Sequence, residues 1–239
     1  MIMMQVRKAD TRGHARFDWL DSWHSFSFGH YYDPAHMGFG ALRVINDDLI
    51  APGSGFPMHG HQDMEIVTYV LDGALEHRDS LGNHGLIAAG DVQRMRAGRG
   101  IRHSEYNASD TAPVRLLQIW LQPDCANLAP GYEQVHIDTA DKTGRFRRIA
   151  SPEPGVGAVH IHQDAHLHAA VLPPGTTASV TLAPGRRTYL QVARGAVDIA
   201  NYPLKQGDAV KITGETQISV TGRDSADGQP AEVLLFDLA

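Results

Sequence analysis

The run Tyr69-Val70-Leu71-Asp72-Gly73-Ala74-Leu75-Glu76 returns 122 residues later as Gln191-Val192-Ala193-Arg194-Gly195-Ala196-Val197-Asp198. Pro52-Gly53 returns as Pro174-Gly175 at the same offset, and Gly90-Asp91-Val92 returns as Gly207-Asp208-Ala209 at an offset of 117. A repeat of this length, present twice, predicts two similar domains; a solenoid needs at least three units. The difference between the offsets fits a shorter hairpin loop in the second copy, because loops absorb length changes. The repeated glycines mark strand-to-strand turns, where the backbone needs positive φ.

The spacing between turns sets the fold class. Short runs rich in Val, Ile, Leu, Tyr and Thr occupy 41–46, 65–71, 116–121, 189–192, 209–212, 217–220 and 233–236. Gly and Pro punctuate them throughout, and long helical periodicity is absent. The chain is expected to be all-β, a sandwich or barrel in each of two similar domains. The formal net charge of -6 argues against the electrostatic footprint of a nucleic-acid binder. Arg94, Arg96, Arg99 and Arg102 form a local basic run, read as solvated arginines beside a loop. The single cysteine, Cys125, permits no internal disulfide and suits a reducing compartment. Residues 1–17 mix charge into their apolar residues, and no apolar run approaches a membrane span. A soluble, cytoplasmic protein is expected, with a monomer as the default.

Two clusters carry the chemistry: His59-Gly60-His61 and His103-Ser104-Glu105. Residues i and i+2 of a strand point to one face. Two neighbouring strands bearing such pairs can aim three imidazoles and a carboxylate at one point. That donor set, without thiolate, suits Fe(II), Mn(II), Ni(II), Cu(II) or Zn(II). Glu65 has the parity of His59 and His61 and could replace Glu105 as the carboxylate, or act behind the ligands. The repeat offers a test. Shifting His59 and His61 by 122 reaches Thr181 and Ala183; shifting His103 and Glu105 by 117 reaches Val220 and Gly222. None is a good ligand, so only the first copy is expected to hold metal. His160, His162, His166 and His168 form a denser cluster, read as outward-facing or hydrogen-bonded histidines. No nucleophile elbow and no phosphate-binding glycine loop occurs.

Several segments resemble one family. Gly53, His59, His61 and Glu65 are spaced as in the first motif of the cupin superfamily, and 90–105 resembles the second motif as found in pirins. The run from Trp19 to Pro34 is similar to the pirin signature, and 233–238 matches bacterial members. The resemblance covers nearly the whole chain and lies nearest to bacterial pirin-like quercetin 2,3-dioxygenases. It implies a bicupin, two antiparallel β-barrels of the jelly-roll kind over 1–130 and 131–239, with metal only in the amino-terminal barrel, held by His59, His61, His103 and Glu105, and with Glu65 outside the ligand set. It implies one divalent transition metal, Fe(II) first, with Ni, Cu, Mn, Zn or Co as alternatives. The implied reaction is oxygenative cleavage of a flavonol by dioxygen with release of carbon monoxide, Glu105 serving as the base. Phe56 and Met58, beside the site, are candidates for contacting the aromatic substrate. The rival reading is a metal-dependent regulatory or redox-sensing protein that acts through protein partners, since some pirins are associated with transcription partners. A third is a different small-molecule cupin, such as an isomerase.

Overall fold

The computed structural model describes residues 3–155, 157–200, 202–225 and 228–239. The strands run β1 (Met3–Arg7), β2 (Gly13–Arg16), β3 (Leu20–His24), β4 (Leu42–Ile50), β5 (Gly55–His61), β6 (Glu65–Asp72), β7 (Ala74–Asp79), β8 (His84–Ala88), β9 (Asp91–Arg96), β10 (Ile101–Asn107), β11 (Val114–Leu121) and β12 (Gly131–His136). They continue as β13 (Arg147–Ser151), β14 (Val159–His160), β15 (Ala165–Leu172), β16 (Thr177–Thr181), β17 (Arg187–Arg194), β18 (Ala196–Ile199), β19 (Tyr202–Lys205), β20 (Ala209–Thr213), β21 (Gln217–Arg223) and β22 (Ala231–Leu238). No helix among the described residues is long and apolar enough to cross a membrane. The all-β expectation holds.

Two compact units emerge, and neither is contiguous. The amino-terminal barrel comprises Gly13–His136 and Pro152–Gln163; the carboxy-terminal barrel comprises Met1–Arg12, Ile137–Ser151 and Asp164–Ala239. This differs from a single cut between 130 and 131, and strand pairing supplies the reason. β1 pairs along β20, from Met3 opposite Thr213 to Arg7 opposite Ala209. β12 lies beyond 130 yet pairs with β9, from Gly131 opposite Arg96 to His136 opposite Asp91. The segment 152–163 is tied into the amino-terminal barrel by the His162 amide, which donates to Glu65, and by Arg94 Nε, which donates to the His160 carbonyl.

Within each unit the strand order repeats. The amino-terminal barrel has sheets ordered β12-β9-β6-β11-β4-β3-β2 and β5-β10-β7-β8. The carboxy-terminal barrel has β1-β20-β17-β22-β15-β13 and β16-β21-β18-β19. The repeated glycine sits at the same turn in both. Gly73 has φ 76°, and a Cβ there would lie 3.2 Å from Val114 Cα; Gly195 has φ 64°, and its Cβ would lie 2.9 Å from Ala231 Cα. Left-handed backbone and close strand approach together demand glycine at both places.

The two interiors are filled differently. Leu190, Val192, Val197, Ile199, Val210, Ile218, Val220 and Leu235 belong to one continuous apolar core in the carboxy-terminal barrel. Apolar clusters of the amino-terminal barrel include one around Leu20, Ile50, Val70, Leu75 and Leu116 and one around Ile66, Met95 and Ile101. Polar residues occupy a belt of register between these clusters. His24, Asn46, Gln118, Thr68 and Gln93 stand directly opposite one another across β3, β4, β11, β6 and β9. All five are buried.

Candidate metal centre and its cavity

β5 and β10 run antiparallel, with His59 opposite His103 and His61 opposite Ile101. The three imidazole rings converge: centroids are 4.4 Å apart for His59 and His103, 4.7 Å for His59 and His61, and 4.9 Å for His61 and His103. One donor nitrogen from each lies within 4.8 Å of the others. His59 Nδ1 is 2.8 Å from the Pro57 carbonyl. That bond needs the proton on Nδ1 and leaves Nε2 with its lone pair. Burial, then His59, drives the His61 pKa down to about 4. Burial, then His59, His61 and His77, drives His103 down to about 2. Both rings are therefore neutral donors at pH 7. Both His103 nitrogens are buried without a hydrogen-bond partner among the described residues. Such orphans are rare in folded proteins, and a bound cation satisfies a nitrogen lone pair. The donor set fits a divalent transition metal.

Glu105 is gathered with His103 and His77 rather than with His59 and His61, again with donor atoms within 4.8 Å. Its Oε1 lies 3.9 Å from His103 Nδ1. Gln118 Nε2 donates to its Oε2 at 2.8 Å, and Thr68 donates to Gln118 Oε1 at 2.9 Å. Burial pushes the Glu105 carboxyl up to about 7, against the lowering effect of these bonds. One carboxyl oxygen is thus held by the polar belt, and the other faces the histidines.

His77, which the sequence reading did not single out, lies opposite Glu105 on β7. Burial lowers its pKa, while Asp79, 3.3 Å away, opposes the shift. The repeat carried a signal for it: 122 residues on stands Ile199, an aliphatic in place of a histidine. The structural register also corrects the counterparts of the other site residues. His59 corresponds to Val180, His103 to Ile218 and Glu105 to Val220, because β16 and β18 pair with β21 at those positions. The turn entering β21 is two residues shorter than that entering β10, which an offset fixed on the preceding glycine misses. The conclusion drawn from the repeat survives more sharply, since every counterpart is aliphatic.

A β-bulge settles the places of Phe56 and Met58. His59 pairs with His103 and Phe56 with Glu105, so β5 spends three steps where β10 spends two. The extra residue reverses the parity of the strand. Phe56 therefore joins His59 and His61 in lining a cavity, whereas Met58, 45% exposed, is not among the lining residues. Pro57 sits at this bulge on an edge strand, where a missing N–H is tolerated. Glu65 opens a different strand, β6, so parity with His61 does not carry across. Its buried carboxylate accepts from the His162 amide at 2.7 Å and stands 3.3 Å from His162 Nδ1; it joins neither donor cluster.

The remaining basic groups have structural partners. Arg94 is buried and pairs with Glu133 at 3.0 Å, so it is not the solvated arginine expected, while the half-buried Arg96 donates from Nε to the Ala129 carbonyl at 2.6 Å. The dense histidine run splits: His160 and His162 lie in the amino-terminal barrel with their rings tilted against each other, centroids 4.4 Å apart, while His166 and His168 lie on β15 in the other. His166 faces Asp237 at 3.4 Å, and His168 is buried, its pKa brought down to about 4 chiefly by burial. Among the described residues, none of the four belongs to a metal-ligating cluster.

The cavity beside the histidines has a volume of about 620 Å³. Phe17, Trp19, Phe28, Tyr31, Phe56 and Trp120 line it, as do His59, His61, His103 and Glu105. Its aromatic walls are edge-packed: Trp19 against Phe56 at 5.1 Å, Phe28 against Trp120 at 5.4 Å, Trp120 against His61 at 5.0 Å. That volume suits a small multi-ring molecule, and the lining follows the usual mix of apolar wall and few polar groups.

Comparison with known proteins agrees with this architecture. Residues 5–121 match the family described as Pirin, and 148–238 match that described as Quercetinase C-terminal cupin domain. The chain is 47% identical over 236 residues to quercetin 2,3-dioxygenase of Escherichia coli (strain K12), covering 99% of both proteins. It is 42% identical over 238 residues to a pirin-like protein of Caulobacter vibrioides, covering 99% of this chain and 100% of that one. It superimposes on the crystal structure of the bacterial pirin YhhW from Escherichia coli in complex with nickel(II), with TM-score 0.90, 46% identity and 99% coverage of each chain.

Proposed function

The chain belongs to the pirin family of bicupin proteins, and from that premise we propose that it is a metal-dependent flavonol 2,3-dioxygenase that cleaves a quercetin-like ring with dioxygen and releases carbon monoxide. One observation carries the reading: three converging imidazoles and a buried carboxyl share the wall of an aromatic cavity. Relatives named quercetin 2,3-dioxygenase support it.

His59, His61, His103 and Glu105 would hold the metal, confined to the amino-terminal barrel, with Fe(II) the first choice and Ni, Cu, Mn, Zn or Co suited to the same donors. When bound, the ion would supply Lewis acidity toward the substrate oxygen and a route for electrons between substrate and dioxygen. The chain's own groups do the rest. The aromatic walls would orient the flat substrate and exclude water. Glu105 would take the proton of the 3-hydroxyl, on the oxygen that Gln118 leaves available. Gln118 and Thr68 would keep the carboxylate oriented through the transfer. A cytoplasmic setting belongs to the same proposal and rests on the lone cysteine.

The test is direct. Protein loaded with each metal in turn is given quercetin, and oxygen uptake and carbon monoxide are followed. Carbon monoxide that vanishes in His61→Ala and Glu105→Ala supports the enzyme. No turnover with any metal refutes it and leaves the regulatory reading.

A further inference from the structure

The metal residues lie on the sheet ordered β5-β10-β7-β8, but the same cavity is lined by a second polar group on the other sheet: Ser22 and His24 of β3, with Asn46 and Asp48 of β4. All four are buried; Asn46 and Asp48 are each only 3% exposed. Ser22 faces Asp48 across the strands, and His24 faces Asn46. Their hydrogen bonds have a direction. Ser22 Oγ donates to Asp48 Oδ1, so Ser22 can accept from His24, whose Nε2 is 2.9 Å away. The chain runs from His24 through Ser22 and ends on Asp48. The Ser22 bond uses one carboxyl oxygen and leaves Oδ2 for another donor. Asn46 Oδ1 is buried with no partner among the described residues.

Leaving the Asn46 oxygen without a partner costs about 1–3 kcal/mol. The fold does not require the carboxylate. In the carboxy-terminal barrel, Asp48 corresponds by register to Ala170, which belongs to that barrel's apolar core. A buried acceptor pair on the wall of an otherwise aromatic cavity is the usual signature of hydroxyl recognition. The serine–aspartate–histidine arrangement is not a nucleophile triad. Both His24 and Asp48 address Ser22, so no base is oriented by the acid, as nucleophile activation requires.

We propose that Ser22, Asn46 and Asp48, with His24 behind them, form a hydroxyl-binding subsite that takes a second phenolic hydroxyl of the substrate, distinct from the one presented to the metal residues. The assignment rests on the flavonol reading above and narrows it to polyhydroxylated ring systems. The ligand hydroxyl donates to Asp48 Oδ2 or Asn46 Oδ1 and displaces whatever water occupies that corner. Burial raises the Asp48 carboxyl to about 7. It is then partly protonated at neutral pH and can also donate to a ligand oxygen.

The test is a binding ratio, read without turnover. Ni(II)-loaded protein under argon is titrated with quercetin and with 3-hydroxyflavone, which lacks the other hydroxyls. Wild type is expected to bind quercetin on the order of ten- to a hundredfold more tightly, the worth of one or two hydrogen bonds to buried acceptors. In Asn46→Ala and in Ser22→Ala that ratio should fall at least fivefold, scored only in variants that melt as cooperatively as wild type. If both ligands bind but the wild-type ratio is near one, or both folded variants keep the wild-type ratio, the subsite is wrong and the flavonol reading stands. If neither ligand binds wild type, the flavonol reading fails and takes the subsite with it.

Discussion

Replacing Asp48 by Asn should stabilise the metal-free protein, and by more at higher pH. Asp48 is buried, and its pKa is raised from 3.8 to about 7, first by burial and then by Asp47 and Glu105, with the Ser22 bond opposing. The folded state holds a proton that the unfolded state releases throughout that window. Wild-type stability therefore falls as pH rises from 3.8 toward 7, and the full penalty is present above the folded pKa. At about 1.4 kcal/mol per unit, a shift of this size corresponds to at most about 4 kcal/mol above pH 7. At pH 5 a little over a third of that penalty has developed, so the advantage of the variant should grow by about 2–3 kcal/mol between pH 5 and pH 8. For a chain of this length that corresponds to about 4–12 °C in melting temperature. Asn can still accept from Ser22, which keeps packing and the hydrogen bond comparable. Thermal unfolding of both proteins in the absence of metal, followed by tryptophan fluorescence from pH 5 to pH 8, reads the difference. Parallel curves, with the gap between proteins constant across pH, would show that Asp48 folds already ionised and that the argument from burial is wrong.

Other consequences are as definite. Glu65→Ala should lower the melting temperature, because the His162 amide and two arginines lose a buried carboxylate, a loss on the order of 3 kcal/mol; metal content by atomic absorption should stay near wild type, and a loss matching that of Glu105→Ala would return Glu65 to the ligand set. Gly73→Ala should destabilise by about 1–3 kcal/mol in urea titration, since φ is 76° and Val114 is 3.2 Å from the new Cβ. His61→Leu should abolish tight binding of Ni(II) in calorimetry, while leaving the protein folded, because the carboxy-terminal barrel carries aliphatics at the matching positions. Removing metal with a chelator should lower the melting temperature of wild type and leave that of His61→Leu unchanged.

Much of the fold was legible because its signals are local. Turn glycines, short β-branched runs and a repeat of fixed offset all survive in a linear reading. His59, His61 and His103 were legible for the same reason: an i, i+2 pair on one strand and a single histidine near another strand's start. What escaped required long-range pairing or a break in period. No local feature of Met3–Arg7 says that it will pair with β20 rather than with its own sequence neighbours. The bulge at Pro57 reversed the parity that put Phe56 and Met58 on one face. His77 takes its meaning only from its partner across the sheet, Glu105. The polar belt was least visible, since each of its members comes from a different strand and only register aligns them.

The two barrels together act as an internal control on what the site residues are for. Both use one strand order, one turn glycine and closely matched registers. In the carboxy-terminal barrel, the positions of Thr68, Gln118 and Gln93 are Leu190, Leu235 and Val210. Those of His77, His103 and Glu105 are Ile199, Ile218 and Val220. Every one of these aliphatics joins a single core, each worth roughly 1.5–3 kcal/mol of burial. The amino-terminal barrel forgoes that gain and instead buries two carboxyls whose pKa values are pushed up to about 7. The architecture folds with either filling, so folding alone does not account for the polar one. Ligand binding at the proposed site accounts for that cost, and the two ends of the polar set, Glu105 by the histidines and Asp48 on the other sheet, are where the proposed ligand would touch.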